Sequence, residues 1–197
     1  MSILALTSDT LIGTAAAGNI EYNGQFFGTD SAGSRAQLQR LVRATAVAST
    51  SGTAIDFTSL PAWVKKITVM FAGISTNGTS SIQVQLGTGS TTYTTTGYVG
   101  STARFSASAL TSTSFTTGFG FNNSVSTALI SGSITITNLT SNTWSSSGSG
   151  GSADSGFLVF VTGGSIALGA ALTAVRITTV NGTDTFDAGT VNIIYEG

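Results

Sequence analysis

A chain of 197 residues with seven Lys+Arg, eight Asp+Glu, no histidine and no cysteine excludes disulfide scaffolds, thiol catalysis and Cys-ligated zinc. It also lacks the imidazole that serves most often as a general base or transition-metal ligand. A net charge of −1 with only 8% charged residues offers no electrostatic footprint for nucleic acid or an anionic membrane. The length suits one domain, or a domain with a small N-terminal appendage, and can bury a core without staples.

Polarity comes instead from Ser and Thr, which make up nearly a third of the chain and favour strands and turns over long helices. Low charge together with a mean hydropathy of +0.33 leaves the surface poorly protected against association, so an oligomer is expected.

In chain order, the opening "MSILALTSDTLIG" has no basic n-region and is interrupted by Asp9, which argues against a secretory signal. "NIEYNGQFFGT" then reads as a hairpin around Asn23-Gly24, a pair suited to positive φ. An isolated two-stranded hairpin is marginal in water. It must pack on something, and if three chains meet along an axis, Ile20, Tyr22, Phe26 and Phe27 can bury against the neighbours. "RAQLQRLVRA" follows, the only stretch with helix-like spacing, and it holds Arg35, Arg40 and Arg43. A single amphipathic turn or an extended linker with solvated arginines is favoured there over a partner-binding helix.

From Ala54 onward the pattern is β. Pro61 in "SLPAWVKKI" suits a strand start. "KKITVMFAGI" and "SIQVQLG" flank the turn-rich "STNGTS", and alternation of Ile82, Val84 and Leu86 with Gln83 and Gln85 predicts a half-buried strand. "SGSITITNL", "GFLVFV", "TAVRITTV" and "TVNIIYE" continue the series, the last placing Val191, Ile193 and Tyr195 on one face. "TWSSSGSGGSADSG" (Thr143 to Gly156) reads as a flexible loop. The uncharged stretch from Ser155 to Val175 is long enough to span a bilayer. Turn chemistry at Thr162-Gly163-Gly164-Ser165 breaks it, so a buried strand is favoured over membrane insertion. The expected fold is an all-β, jelly-roll-like β-sandwich.

Candidate chemistry is sparse. Asp184 and Asp187 supply too few oxygens, at the wrong spacing, for a calcium loop, and turn-forming aspartates are favoured. "GTGSTT" has no following helix or Lys, so it is no phosphate loop. Sites for metal, cofactor or catalysis are therefore not expected. The Asn-x-Ser/Thr triplets at Asn77, Asn122, Asn138 and Asn181 follow from a chain rich in Ser and Thr. Trp63, beside Val64 and Ile67, reads as core. Tyr93, Tyr98 and Trp144, among threonines and serines, are candidates for stacking on sugar rings of a receptor glycan; packing between subunits explains them equally well.

The closing "AVRITTVNGTDTFDAGTVNIIYEG", with "WVKKITVMFAGISTNGTSSIQVQLG" and "SGSITITNLTSNTWSSSG" before it in order, resembles a β-sandwich domain of structural proteins and tail fibres of tailed bacteriophages and prophages. The pattern Gly18, Ile20, Glu21, Tyr22, Gly24, Phe26, Phe27 resembles an element that ends a shaft or attachment segment in fibre proteins. The resemblance implies a virion component, a homotrimer, without enzymatic activity. It divides the chain into an N-terminal virion-anchoring segment (1–17), a hairpin connector and linker (18–47) and a C-terminal sandwich (48–197). One expectation is a short tail fibre touching a host-surface glycan. The other is a capsid decoration or head-fibre protein, docked on other virion proteins through the N-terminus and Arg35, Arg40 and Arg43.

Overall fold

A computed structural model describes residues 17–22, 26–123, 125–152 and 157–197. The N-terminal segment 1–16 and the Asn23-Gly24 turn lie outside the described residues. Among the described residues there is no helix, and all regular structure is β. The chain divides into two compact units, Met1–Arg40 and Leu41–Gly197.

In the first unit, β1 (Ile20–Tyr22), β2 (Phe26–Thr29) and β3 (Arg35–Gln37) form an antiparallel three-stranded sheet in that order. The expected hairpin is present in β1 and β2, and "RAQ" extends it as a third strand. Side chains alternate across such a ribbon. One face therefore carries Ile20, Tyr22, Phe26 and Leu38, with Ile20 71% and Phe26 43% exposed and the Tyr22 and Phe26 rings 5.0 Å apart. The opposite face carries Phe27, Thr29 and an ion pair between Glu21 and Arg35 at 2.6 Å. The four residues grouped as one packing surface are thus split: Phe27 points away from the other three, because it sits opposite Glu21 in the register.

The second unit is a β-sandwich. Its larger, nine-stranded sheet runs β10 (Leu110–Phe115), β9 (Val99–Phe105), β14 (Leu158–Ala167), β13 (Thr143–Ser152), β12 (Ile130–Thr140), β7 (Lys66–Thr76), β16 (Phe186–Glu196) and β4 (Leu41–Arg43), with β5 (Val47–Ala48) also pairing β16. The smaller sheet runs β11 (Phe119–Phe121), β8 (Ile82–Gly87), β15 (Ala174–Thr179) and β6 (Ala54–Phe57). Residues 41–47, read as connector, therefore run along the sandwich edge, where β4 and β5 both pair with β16. One apolar core joins the sheets: Ile67, Val69, Ile134, Ile136, Val191 and Ile193 face Val84, Leu86, Phe119, Phe121 and Ile177. Phe121 lies 5.8 Å from Phe71 and 5.5 Å from Phe160, locking the small sheet onto the large one. Trp63 packs against this core, its ring 5.7 Å from Tyr195.

Three expectations are corrected here. The stretch from Thr143 through Ser152, read as a flexible loop, is a strand paired on both sides, with β12 and with β14. Residues 153–156 lie outside the described residues. Serine and glycine mark turns when isolated, yet in a central strand their backbone groups satisfy the ladder as any non-proline residue does. Likewise, Thr162-Gly163-Gly164-Ser165 does not turn: β14 runs through it, and Gly164 sits where a Cβ would lie 2.8 Å from Gly100 Cα on β9. The glycines serve close backbone approach rather than reversal. Pro61, finally, lies in a turn closed by the Val64 amide donating to its carbonyl at 3.1 Å, ahead of β7.

Gly132 shows the same economy at a bulge. The β12–β7 register shifts between Ile130 and Gly132, and Gly132 takes φ +151 with the Ser149 carbonyl where a Cβ would stand. Only glycine meets both demands without strain.

Candidate functional site

Of the three aromatic residues proposed to meet a receptor, two are interior. Trp144 is 3% exposed within the core, opposite Ile166. Tyr98 is 2% exposed, its ring edge-on to Phe119 at 5.0 Å. Its oxygen accepts a hydrogen bond from the Leu86 amide at 2.7 Å. Burial pushes the Tyr98 phenol up to about 12, opposed by that hydrogen bond. Neither ring is offered to a ligand. Surrounding Ser and Thr made both look exposed, but burial is decided by strand partners, and those are far away in the chain.

Tyr93 alone of the three remains at the surface, half-buried beside the small sheet through an isolated bridge to Gly87. The Arg176 guanidinium lies 4.0 Å from its ring centroid, a cation–π contact. Arg176 in turn holds Asp56 in a two-pronged bond: Nε donates to Oδ1 and Nη2 to Oδ2, each at 2.8 Å. That hydrogen bonding, chiefly, raises Arg176 above the ordinary guanidinium value. Burial first, then the Asp56 charge, raises the Tyr93 phenol, while Arg176 lowers it.

This cluster arises from register. On the outer face of the small sheet, β15 sets Arg176 opposite Asp56 of β6 and opposite Gln85 of β8, so one row crosses three strands. The next row of the same face sets Thr178 opposite Gln83, and Gly120 of β11 continues it. Strand β8 was expected to be half-buried, but both its faces are covered: Gln83 is 1% and Gln85 6% exposed. Their amides are held in place. Gln83 Nε2 donates to the Thr179 carbonyl at 3.3 Å and its Oε1 accepts from the Thr117 hydroxyl at 2.8 Å. Gln85 Nε2 donates to the Thr117 carbonyl at 3.0 Å. The polar stripe visible in the sequence is thus the floor of a groove of about 290 Å³, lined by Gln83, Gln85, Thr95, Thr117, Arg176 and Thr178 among others. Arg176, Asp56 and the two glutamines were not singled out from the sequence; the signal available was a lone arginine in the apolar run "TAVRITTV" beside the alternating glutamines.

Elsewhere, Arg35 is paired with Glu21, Arg40 is half-buried, and Arg43 is exposed on edge strand β4. Asp184 and Asp187 do not form a pair. Asp184 accepts from the Ser80 amide at 2.9 Å and from Asn181 Nδ2 at 2.6 Å, latching the loop after β7 to the loop after β15. Asp187 stands exposed in β16. Among the described residues no group of three or more acidic, His or Cys side chains could hold a metal ion, and no helix is long and apolar enough to cross a membrane. The uncharged stretch from Ser155 to Val175 contains β14 and the start of β15.

The site is therefore a neutral, amide- and hydroxyl-lined groove on one sheet of an all-β sandwich. No protein-family model, curated protein or solved structure matches the chain.

Proposed function

We propose that the chain is a non-enzymatic structural component of a bacteriophage virion: a short, trimeric tail fibre whose sandwich, of jelly-roll type, contributes to host-surface attachment. The observation that carries this reading is the succession of two separate β units, a small hairpin-based sheet followed by a sandwich. Each unit carries the residues that resemble phage fibre elements. Assembly is supported by apolar side chains left at the surface, Ile20, Phe26 and Leu38 on one face of the small sheet and Val99, Leu110, Val159 and Val161 on the sandwich. Such surface is uncommon on a monomer with so little charge. Three copies would multiply weak single-site affinity for a surface polymer.

A second reading, a capsid decoration protein, is favoured by one observation: Arg43 is exposed at the sandwich edge, whereas Arg35 is paired with Glu21. Binding of fluorescently labelled protein to host cells and to particles lacking it separates the two. Saturable binding to cells, competed by surface polysaccharide, supports the fibre. Binding to the heads of depleted particles without affinity for cells supports decoration. A monomer by sedimentation at micromolar concentration overturns the trimer.

A further inference from the structure

Within the groove, two facing side chains keep hydrogen-bonding capacity that the protein leaves unused. A guanidinium carries five N–H donors; Asp56 takes two of those on Arg176, and the side chain still lines the groove. Gln85 spends its amide N–H on the Thr117 carbonyl. Its carbonyl oxygen receives no hydrogen bond from any described residue, although the side chain is more than nine-tenths buried and lines the same groove. That oxygen is open to the groove and so remains available to a ligand hydroxyl. A fixed donor therefore sits across the strand from a fixed, unfilled acceptor, since Arg176 and Gln85 are register partners.

From this arrangement we infer that the groove is a saccharide subsite for an uncharged sugar bearing adjacent hydroxyls. This rests on the attachment reading above and gives that contact a chemistry and a place. One hydroxyl donates to Gln85 Oε1 while its neighbour accepts from the Arg176 guanidinium; a hydroxyl can do both at once, so a vicinal pair completes the row. Thr95 and Thr117 supply further hydroxyl partners along the wall. The charge pattern selects neutrality. Arg176 is already neutralised by Asp56, so an acidic sugar would gain no unpaired cation. The volume, at the lower end of the roughly 300–1,000 Å³ usual for small-ligand sites, suits the terminal unit of a chain. Arg176 covers one face of the Tyr93 ring, so that face is closed to a stacking sugar.

The test uses the full chain on an array of immobilised oligosaccharides, one set built from neutral hexoses and 6-deoxyhexoses, the other from uronic and sialic acids. Binding to at least one neutral structure is expected, weakened tenfold or more in Gln85→Met, which keeps length and removes the acceptor. Thr95→Ala, an exposed position with no part in the core, is expected to weaken it two- to fivefold with an unchanged melting temperature. Neutral-sugar binding indifferent to both variants overturns the assignment, as does binding confined to acidic sugars. If no oligosaccharide binds while the labelled protein still saturates host cells, the subsite is wrong and the attachment reading stands; if cell binding is absent as well, both fall.

Discussion

The Leu86 amide donates to the phenolic oxygen of Tyr98 at 2.7 Å, inside the core and between a strand of the small sheet and the segment leading into β9. Burial holds that phenol at about 12 against an ordinary 10. Between those two values the unfolded chain has released its proton and the folded chain has not, so the folded state binds more protons and stability falls as pH rises. Below pH 10 both states are neutral and the contribution is constant. Two units correspond to about 2.7 kcal/mol at most. Urea unfolding midpoints at pH 8 and pH 11.5 should show this loss in the native chain and a smaller one in Tyr98→Phe. At pH 8 the variant should itself be weaker by about 1–3 kcal/mol, because the Leu86 N–H is left buried without a partner.

The adjacent glycines of β14 should respond oppositely to a methyl group. A Cβ on Gly164 would stand 2.8 Å from both Gly100 Cα and the Val99 carbonyl, whereas one on Gly163 meets nothing closer than the Ser146 carbonyl at 3.5 Å. Gly164→Ala is expected to cost about 1–3 kcal/mol through overpacking. Gly163→Ala should be neutral or gain up to about 0.5–1 kcal/mol, the usual benefit of removing a strand glycine. Equal losses in chemical denaturation would contradict the packing of β14 on β9.

Trp144 offers a check on its own burial. In Trp63→Phe the remaining indole should be shielded from acrylamide in the folded protein and become quenchable in urea. Trp144→Ala should cost about 3–5 kcal/mol, the range for emptying a buried aromatic site. An indole quenched as readily in the native state as in urea would place Trp144 at the surface after all.

Arg176 and Asp56 are each about one-third exposed, at 31% and 32%, so their pair should be worth little in stability despite its two-pronged geometry. A double-mutant cycle with Arg176→Gln and Asp56→Asn should return a coupling of about 1 kcal/mol or less. The more telling effect is on Tyr93: removing the Asp56 charge, which raises the phenol, should move its titration to lower pH. Phenolate absorbance in Asp56→Asn, with Tyr93→Phe as the subtraction control, reads that shift; a shift upward would mean that the Arg176 charge no longer reaches the ring.

Period-2 alternation was enough to find β7, β8, β12, β15 and β16, because each of these strands turns at least one apolar face to a shared core and the pattern is local. It failed in β13, where serine and glycine carry no hydrophobic signal and strand identity comes wholly from the partners on either side. Tyr98 and Trp144 were misplaced for the same reason, their burial being a property of neighbours that the flanking residues do not encode. The groove was half visible: the polar stripe of Gln83 and Gln85 stood in the sequence, but its union with Arg176 and Asp56 depends on how β6, β8 and β15 register, which no segment specifies alone.

That distance between partners has a kinetic side. Strand β7 lies between β12 and β16, and β6 closes the small sheet against β15, so early segments wait for late ones before their ladders close. Topologies dominated by such remote pairings search longer for their transition state and fold on the millisecond-to-second scale. Until the last strand arrives, Ile67, Val69 and Phe71 stand on an open edge. During synthesis this is the interval in which a chain with so few charges is most exposed to capture by its own copies, and in which chaperone occupancy would decide the yield of assembled protein.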